Sequence, residues 1–281
     1  MKRFEYRKTH FDIPSNRKLW NTLGGFDALM QYVEAACISY NEKQIASGLS
    51  FEDFLETEKD KMSHPITSLA FTNPLVKLHE LYLVYPYSCL DVFIDDFVED
   101  MRTLAFSGFS LADTNKISKL ERLIIALKRL GINPKLYDFS MPIYNYFRYL
   151  RNGLNHNGAD EGDAKLLNSF KVVSTHKADI DKRFNNLNAL TECGKLNFGD
   201  YVLCTANIKN IADLIVLSIE SHINWDNFYL SEDNHPAINK INGYNRERQI
   251  SYVKNVIQTT YSITLPDDKC GVIVDNTIAH F

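Results

Sequence analysis

One short polar segment of the chain joins a permanent cation to a proton-transfer group. The segment reads Tyr149-Leu-Arg-Asn-Gly-Leu-Asn-His-Asn-Gly158 and places Arg151 five residues before His156. An arginine guanidinium offers a planar, charged fork that fits phosphate oxygens. Histidine has an ordinary pKa of about 6.5, which suits proton transfer near neutral pH. These residue types therefore suit the binding or cleavage of a phosphodiester.

The segment lies at the end of a predicted helix over residues 141–156. The apolar residues that predict its buried face recur at spacings of 4, 3 and 4: Ile143, Phe147, Leu150 and Leu154. On this helix Arg151 lies at the edge of the apolar stripe, and Asn152 and His156 fall on the opposite side. Arg151 and His156 are about 140° apart around the axis. A long arginine side chain together with a frayed last turn would let both side chains contact one phosphate. A second copy of the helix would allow this more easily.

Three further helical segments accompany the motif helix, at residues 88–104, 116–130 and 201–222. Gly108 and Gly131 mark the ends of the first two, and Gly199-Asp200 is the expected cap of the third. Together the four segments predict a four-helix up-down bundle in a mainly α protein. The polar stretch 158–199 is expected to mix loop with a short helix.

The remaining sequence predicts additional helices on both sides of the bundle. A helix is expected over residues 26–47, with Leu29 on its buried face, and a short helix begins at Ser50 with a capping pattern to Asp53. Another helix is expected near residues 246–261, and residues 270–274 have the pattern of a short strand. The predicted organisation is an N-terminal helical extension at 1–85, the bundle at 86–223, and a C-terminal extension packed on it at 224–281.

Composition sets the class of protein. The chain has 281 residues, is 45% hydrophobic and 23% charged, and carries a net charge of −4. It is long enough for a substantial core, and its net charge argues against coating nucleic acid through bulk positive charge. Its five widely spaced cysteines predict free thiols in a reducing compartment. The basic N-terminus is followed by no apolar segment, so we expect a cytoplasmic protein without a membrane span.

The pattern Arg-Asn-x-x-x-His at the end of the third bundle helix resembles the Arg-x(4–6)-His signature of the HEPN superfamily, in which a polar residue is favoured directly after the arginine. The helix order over residues 88–223 is also similar. The resemblance implies a metal-independent endoribonuclease that needs no cofactor and acts as a homodimer through its motif helices. It further implies a toxin or phage-defence role, with an antitoxin or other regulatory partner.

The resemblance also implies residue roles. Arg151 would hold the scissile phosphate, His156 would transfer a proton with the ribose 2′-hydroxyl, and Asn152 would orient the pair. RNA is the implied substrate, with tRNA among the candidates. Arg148, Tyr149 and Asn155 are the predicted substrate-binding residues beside them.

The charge distribution gives separate support for a local phosphate site. Residues 116–156 contain eight basic and two acidic residues, a net charge of +6 in an acidic protein. This concentration fits a phosphate-binding groove, and solvated helix faces are the other interpretation. Tyr144, Tyr146 and Tyr149 would either stack on exposed bases or pack at a helix interface.

Other functions remain open or lack a pattern. The main alternative is a non-catalytic HEPN-like module that binds RNA, a nucleotide or a partner protein. A DNA-binding role lacks a recognition-helix signature. His79-Glu80 lacks the second histidine of a zinc motif, because Leu83 takes that place. The acidic residues of segment 88–104 have no histidine partner motif, so a solvated face is favoured over a metal site.

Overall fold

The computed structural model describes residues 10–61, 74–104, 106, 108–114, 116–155, 160–231 and 235–280. Within these ranges the regular elements are helices, beside one isolated bridge between Glu192 and Lys195. The prediction of a mainly α protein is confirmed. The α-helices are α1 Pro14–Ser47, α2 Phe51–Glu58, α3 Pro74–Tyr82, α4 Val84–Thr103, α5 Lys119–Arg129, α6 Ser140–Asn155, α7 Asp160–Ser174, α8 Lys177–Phe184, α9 Phe198–Ile219, α10 Arg246–Tyr261 and α11 Asp267–Ala279. Short 3₁₀ helices lie at Lys59–Lys61, Glu220–His222 and Pro236–Gly243.

The helices form two compact units, each built from separate stretches of chain. Unit 1 contains Met1–Trp20, Cys89–Leu136 and Lys209–Phe281, and unit 2 contains Asn21–Ser88 and Tyr137–Ile208. Helices α1, α4 and α9 contribute residues to both units. The division of the sequence at residues 85 and 223 concerns domains along the chain and stays a prediction.

Unit 1 has an apolar core in which the predicted stripes of α4 and α9 are buried. The buried residues of these stripes are Leu90, Phe93, Ile94, Phe97, Met101, Leu104, Ile211, Ile215 and Ile219. Helix α10 packs against α11. Inside this unit the carboxylate of Asp213 accepts hydrogen bonds from Asn16 Nδ2 at 2.9 Å and Trp20 Nε1 at 2.8 Å. Burial raises the pKa of Asp213 above its ordinary value.

Unit 2 holds the motif helix α6, which packs against α7. Its core includes an aromatic cluster in which Met30, Tyr82 and Tyr201 are buried. Beside the cluster, His79 lies between two acceptors: Nδ1 is 3.3 Å from the Leu196 carbonyl oxygen and Nε2 is 3.0 Å from a Glu34 carboxylate oxygen. This buried polar contact joins α1, α3 and the loop before α9.

Several predicted boundaries are confirmed by local capping contacts. The Ser50 hydroxyl accepts from the Asp53 amide at the start of α2. Gly131 follows the end of α5 with φ of +79°, a left-handed conformation that suits glycine. Gly108 has the same φ but lies five residues after the end of α4, and a capping box of Ser118 and Glu121 starts α5 at Lys119 rather than residue 116. Helix α10 has the bounds that the sequence predicts.

Other boundary predictions are wrong. Helix α1 begins at Pro14 rather than residue 26, and Leu29 is exposed. Residues 270–274 lie within helix α11 instead of forming a strand. Gly199 and Asp200 lie inside α9 instead of capping it, and two helices, α7 and α8, occupy most of the stretch expected to be loop with one short helix.

Two whole-chain properties also bear on the sequence interpretation. None of the five cysteines, all of which the structure describes, forms a disulfide, and Cys89, Cys204 and Cys270 are buried. Among the described residues, the stretch Phe198–His222 is long and apolar enough, by length and composition, to cross a membrane. More than half of it is buried within the fold, which is the character of a core helix, so the evidence for a membrane span is weak. The cytoplasmic location stays a prediction.

Candidate functional site

Helix α6 presents the motif from an apolar base. Ile143, Phe147 and Leu150 are buried, as the spacing predicts. Tyr144 and Tyr146 are buried too, so they pack in the core and do not stack on an exposed base. Their backbone and hydroxyl groups are engaged: the Tyr144 carbonyl accepts from the Tyr87 hydroxyl at 2.5 Å, and the Tyr146 hydroxyl accepts from the Gly194 amide at 3.3 Å. The inner face of α6 is therefore fixed in unit 2.

Arg151 lies at the edge of this face and is half-buried. Its guanidinium carbon is 5.0 Å from the centroid of the Tyr87 ring, which is a cation–π distance. Its Nε and Nη2 atoms donate to Asn152 Oδ1 at 3.4 and 3.2 Å. Asn152 therefore contacts the guanidinium that the resemblance expects it to orient. An arginine has five N–H donors, so the Nη1 hydrogens and one on Nη2 remain for another acceptor.

Arg148, one turn earlier, is held in a similar way. Its Nη2 donates to Asn145 Oδ1 at 3.2 Å. Its guanidinium carbon is 4.8 Å from the Tyr149 ring centroid and 5.9 Å from that of Tyr144. Its Nε is buried and has no hydrogen-bond partner among the described residues. The half-buried Tyr149 ring thus supports Arg148, which is a different role from the predicted stacking on a base.

The two guanidiniums carry positive charge that no carboxylate balances within the described residues. In that part of the chain neither Arg148 nor Arg151 forms an ion pair, whereas Arg102 pairs with Glu99 and Arg246 pairs with Asp275. Each of the two motif arginines instead has a neutral asparagine and a tyrosine ring as partners. Two such cations three residues apart on one helix are suited to bind an anion.

Two of the described groups near Arg151, the Tyr87 hydroxyl and the Cys204 thiol, are neutral. Tyr87 is buried, and burial raises the pKa of its hydroxyl well above the ordinary value, with the charges of Arg151 and Arg148 acting in the opposite direction. Burial likewise raises the pKa of the Cys204 thiol, and the Arg151 charge opposes that shift too. Both groups stay neutral at physiological pH. The guanidinium of Arg151 therefore lies against neutral groups and keeps its charge for a ligand.

The side chains of two predicted site residues are not described by the structure. His156 lies outside the described residues. Asn155 is the last residue of α6, and its side chain also lies outside the description. The structure therefore brings together Arg148, Tyr149, Arg151 and Asn152, and the distance from Arg151 to His156 stays untested.

Two residues of the arrangement were missed by the sequence argument. Asn145 stands three residues before Arg148 on α6, so helical spacing was enough to identify it. Tyr87 comes from α4, and no local pattern connects it with Arg151. The basic residues of 116–156 also separate: the six from 116 to 135 belong to unit 1, and only Arg148 and Arg151 belong to unit 2.

The acidic face of α4 is balanced by lysines. Asp95 pairs with Lys119 at 2.6 Å, and Asp96 pairs with Lys18 at 2.7 Å. Asp100 accepts from the Ser15 amide at 2.8 Å. In the part of the chain that the structure describes, no group of three or more histidine, cysteine, aspartate or glutamate side chains is placed to hold a metal ion.

Comparison with known proteins adds no family to this geometry, because no protein-family model, curated protein or solved structure matches the chain. The likeness to the HEPN superfamily therefore rests on the motif and on the order of the helices. The function has to be argued from the side chains of α6.

Proposed function

We propose that this protein is a metal-independent endoribonuclease of HEPN type, and that α6 carries its site. The observation that supports the proposal is the pair of half-buried guanidiniums at Arg148 and Arg151, which have no carboxylate partner in the described residues. A phosphodiester supplies the negative charge and the oxygen acceptors that these groups lack. His156, five residues after Arg151, supplies the proton-transfer group in this proposal.

The proposed reaction needs only these groups and the RNA itself. The free N–H donors of Arg151 bind the non-bridging oxygens of the scissile phosphate, and Asn152 holds the guanidinium in place. His156 takes part in proton transfer with the ribose 2′-hydroxyl. The 2′-oxygen attacks phosphorus and the bond to the 5′-oxygen breaks. The products are a 2′,3′-cyclic phosphate and a 5′-hydroxyl end, and the proposed reaction needs no metal ion.

The proposal includes a second copy of the chain. Because Arg151 and His156 are about 140° apart around an ideal helix, one helix does not easily direct both side chains to one phosphate. Two α6 helices meeting across a homodimer would supply an arginine and a histidine from different subunits. The proposed setting is a cytoplasmic toxin or phage-defence effector acting on RNA, with tRNA among the candidates and an antitoxin or other protein as regulator.

The deciding experiment compares the wild type with His156→Ala. Both proteins are incubated with total RNA and with tRNA in EDTA, and the size and end chemistry of the products are read. Cleavage by the wild type alone, leaving 2′,3′-cyclic phosphate ends, is the expected result. His222→Ala is the matched control, because His222 is an exposed histidine outside α6, and it should cleave like the wild type. Equal cleavage by His156→Ala would contradict the proposal.

A second function is favoured by the same arginines. Within the described residues both guanidiniums are positioned by an asparagine and a tyrosine ring without any contribution from His156, and donors remain on each for a phosphate. A non-catalytic module that binds RNA, a nucleotide or an anionic partner is therefore the alternative. Absence of cleavage by the wild type together with RNA binding that is lost in Arg151→Ala would support this alternative.

A further inference from the structure

A cleft in unit 1 has the composition of a second ligand site. It measures about 640 Å³ and lies where the 3₁₀ helix after α9 meets the link between α10 and α11. Its polar lining comes from Glu220, Gln258, Ser262 and Thr264, and its aromatic wall comes from Trp225. The volume is within the range of small-molecule sites. All of these residues belong to unit 1, so the cleft is separate from the motif on α6.

The aromatic wall is held rigidly. The Trp225 ring contacts Phe228 and Tyr261 in tilted, edge-type arrangements, with centroid distances of 5.2 and 5.8 Å. Phe228 and Tyr261 are both buried, whereas Trp225 is only half-buried. A half-buried indole fixed by two buried rings offers a preformed apolar surface to a ligand.

The polar groups of the cleft have no side-chain partners of their own. Within the described residues, the side chains of Glu220, Gln258, Ser262 and Thr264 form no hydrogen bond or ion pair. This contrasts with neighbouring charges, since Lys254 pairs with Asp267 at 2.7 Å. Four polar side chains without partners thus surround one aromatic ring. They leave acceptor oxygens of three kinds: carboxylate, amide and hydroxyl.

The electrostatics of the cleft favour a cation. Among the described residues that line the cleft, Glu220 is the only charged one. The C-terminal end of α10 lies at this cleft and has no basic residue in its last turn, whereas the 3₁₀ helix Glu220–His222 that continues α9 ends with His222. A helix C-terminus carries partial negative charge. At the end of α10, Arg17 donates to the carbonyl oxygens of Thr259 and Thr260 and offsets part of that charge, so Glu220 supplies the main attraction for a cation.

We propose that this cleft binds a small organic amine. The hydrocarbon part of the ligand lies against Trp225, and its ammonium group faces Glu220. A primary ammonium has three N–H donors, which the carboxylate, the Gln258 amide oxygen and a hydroxyl of Ser262 or Thr264 can accept. A quaternary ammonium would leave those acceptors unused, and an anion would be repelled by the Glu220 carboxylate.

The test uses spermidine as the probe and the full-length protein. Binding is followed by calorimetry and by tryptophan fluorescence at physiological ionic strength. The chain has two tryptophans, and the other one, Trp20, donates a hydrogen bond to Asp213. Comparison with Trp225→Phe shows which of the two causes a change in emission on binding. We expect saturable one-site binding that is about tenfold weaker in Glu220→Gln. Trp225→Phe should lose the fluorescence change and weaken binding about threefold.

Glu247→Gln is the matched control. Glu247 is an exposed glutamate in the first turn of α10, at the opposite end of the helix from the cleft, and it should bind spermidine like the wild type. Equal weakening in Glu247→Gln and Glu220→Gln would overturn the proposal, because it would show attraction to overall charge. Absence of saturable binding by the wild type would also overturn it. So would binding of a neutral sugar such as glucose in place of spermidine, unaffected by Glu220→Gln.

Discussion

Replacing Arg151 by lysine separates the charge of this residue from its hydrogen-bonding fork. In the folded protein the guanidinium contributes a cation–π contact at 5.0 Å from Tyr87 and two long hydrogen bonds to Asn152, at 3.4 and 3.2 Å. A cation–π contact at a partly exposed site is worth about 0.5–1 kcal/mol, and a lysine retains most of it. Hydrogen bonds of this length to an adjacent side chain add little. The free energy of unfolding should therefore fall by about 1 kcal/mol or less, a few degrees in Tm.

The effect on RNA should be much larger than the effect on folding. A lysine ammonium cannot hold two phosphate oxygens in the planar arrangement of a guanidinium. Loss of one hydrogen bond to a charged group costs about 1.5–3 kcal/mol, which corresponds to about a 10- to 100-fold slower cleavage step. The assay is single-turnover cleavage of a defined tRNA in EDTA, run beside thermal unfolding of the same samples.

The control is Arg129→Lys, which makes the same substitution at an exposed arginine on α5 in unit 1. It should leave both cleavage and Tm unchanged. Wild-type cleavage by Arg151→Lys would refute the assigned role of the fork. A fall in Tm large enough to unfold the variant at the assay temperature would refute the argument that Arg151 contributes little to folding.

Three further predictions concern stability. Because burial raises the pKa of Asp213, the folded protein keeps that proton where the unfolded chain has lost it, and stability falls as the pH rises from the ordinary aspartate value through the raised pKa; Asp213→Asn should weaken this pH dependence in urea unfolding as the pH rises above about 4. His79→Leu removes the hydrogen-bond partner of the nearly buried Glu34 carboxylate and should cost about 1–3 kcal/mol, and adding Glu34→Leu should recover part of that loss in the same measurement. In Gly199→Ala the new Cβ would lie 2.0 Å from a backbone carbonyl oxygen, so we expect a loss of about 2 kcal/mol or more; Gly153→Ala, with open space around it on α6, should instead raise Tm through a gain of about 0.5–1 kcal/mol.

The elements predicted correctly are those determined by neighbouring residues. The cap at Ser50 involves a partner three residues away, and Gly131 follows the end of α5 in a left-handed backbone conformation. The buried stripes of α4 and α9 follow from helical spacing alone. Such features depend on short stretches of sequence, so they can be identified without knowledge of the fold.

The start of α9 shows how a local signal was assigned to the wrong residues. The cap is Asn197, whose side chain accepts from the Asp200 amide at 3.1 Å while the Asp200 carboxylate accepts from the Asn197 amide at 3.0 Å. Gly199 lies within the first turn of α9. The residue there has to be glycine because the Leu187 carbonyl oxygen occupies the space where a side chain would be. The Asn-x-x-Asp pattern was visible in the sequence, but the requirement for glycine depends on a residue twelve positions earlier.

The predicted strand at residues 270–274 failed because the window was too short. Its β-branched residues favour a strand locally. Over the longer segment, however, Cys270, Ile273, Val274 and Thr277 are buried at helical spacing. Pro266 and the two aspartates after it mark the start of that helix. The longer pattern determines the structure because α11 buries this whole face against α10.

The candidate site combines both kinds of information. Helical spacing placed Arg151 at the edge of the buried face, and the structure confirms that position. What makes the residue suitable for an anion comes from tertiary packing: the ring beneath it belongs to Tyr87, whose hydroxyl is fixed by the Tyr144 carbonyl. Because that ring is buried and neutral, it orients the guanidinium without neutralising its charge. An acidic residue in the place of Tyr87 would give the same helix and the same motif, but it would form an ion pair that competes with phosphate. The contact between Arg151 and Tyr87 is therefore the feature by which this fold turns a short sequence motif into a candidate phosphate site.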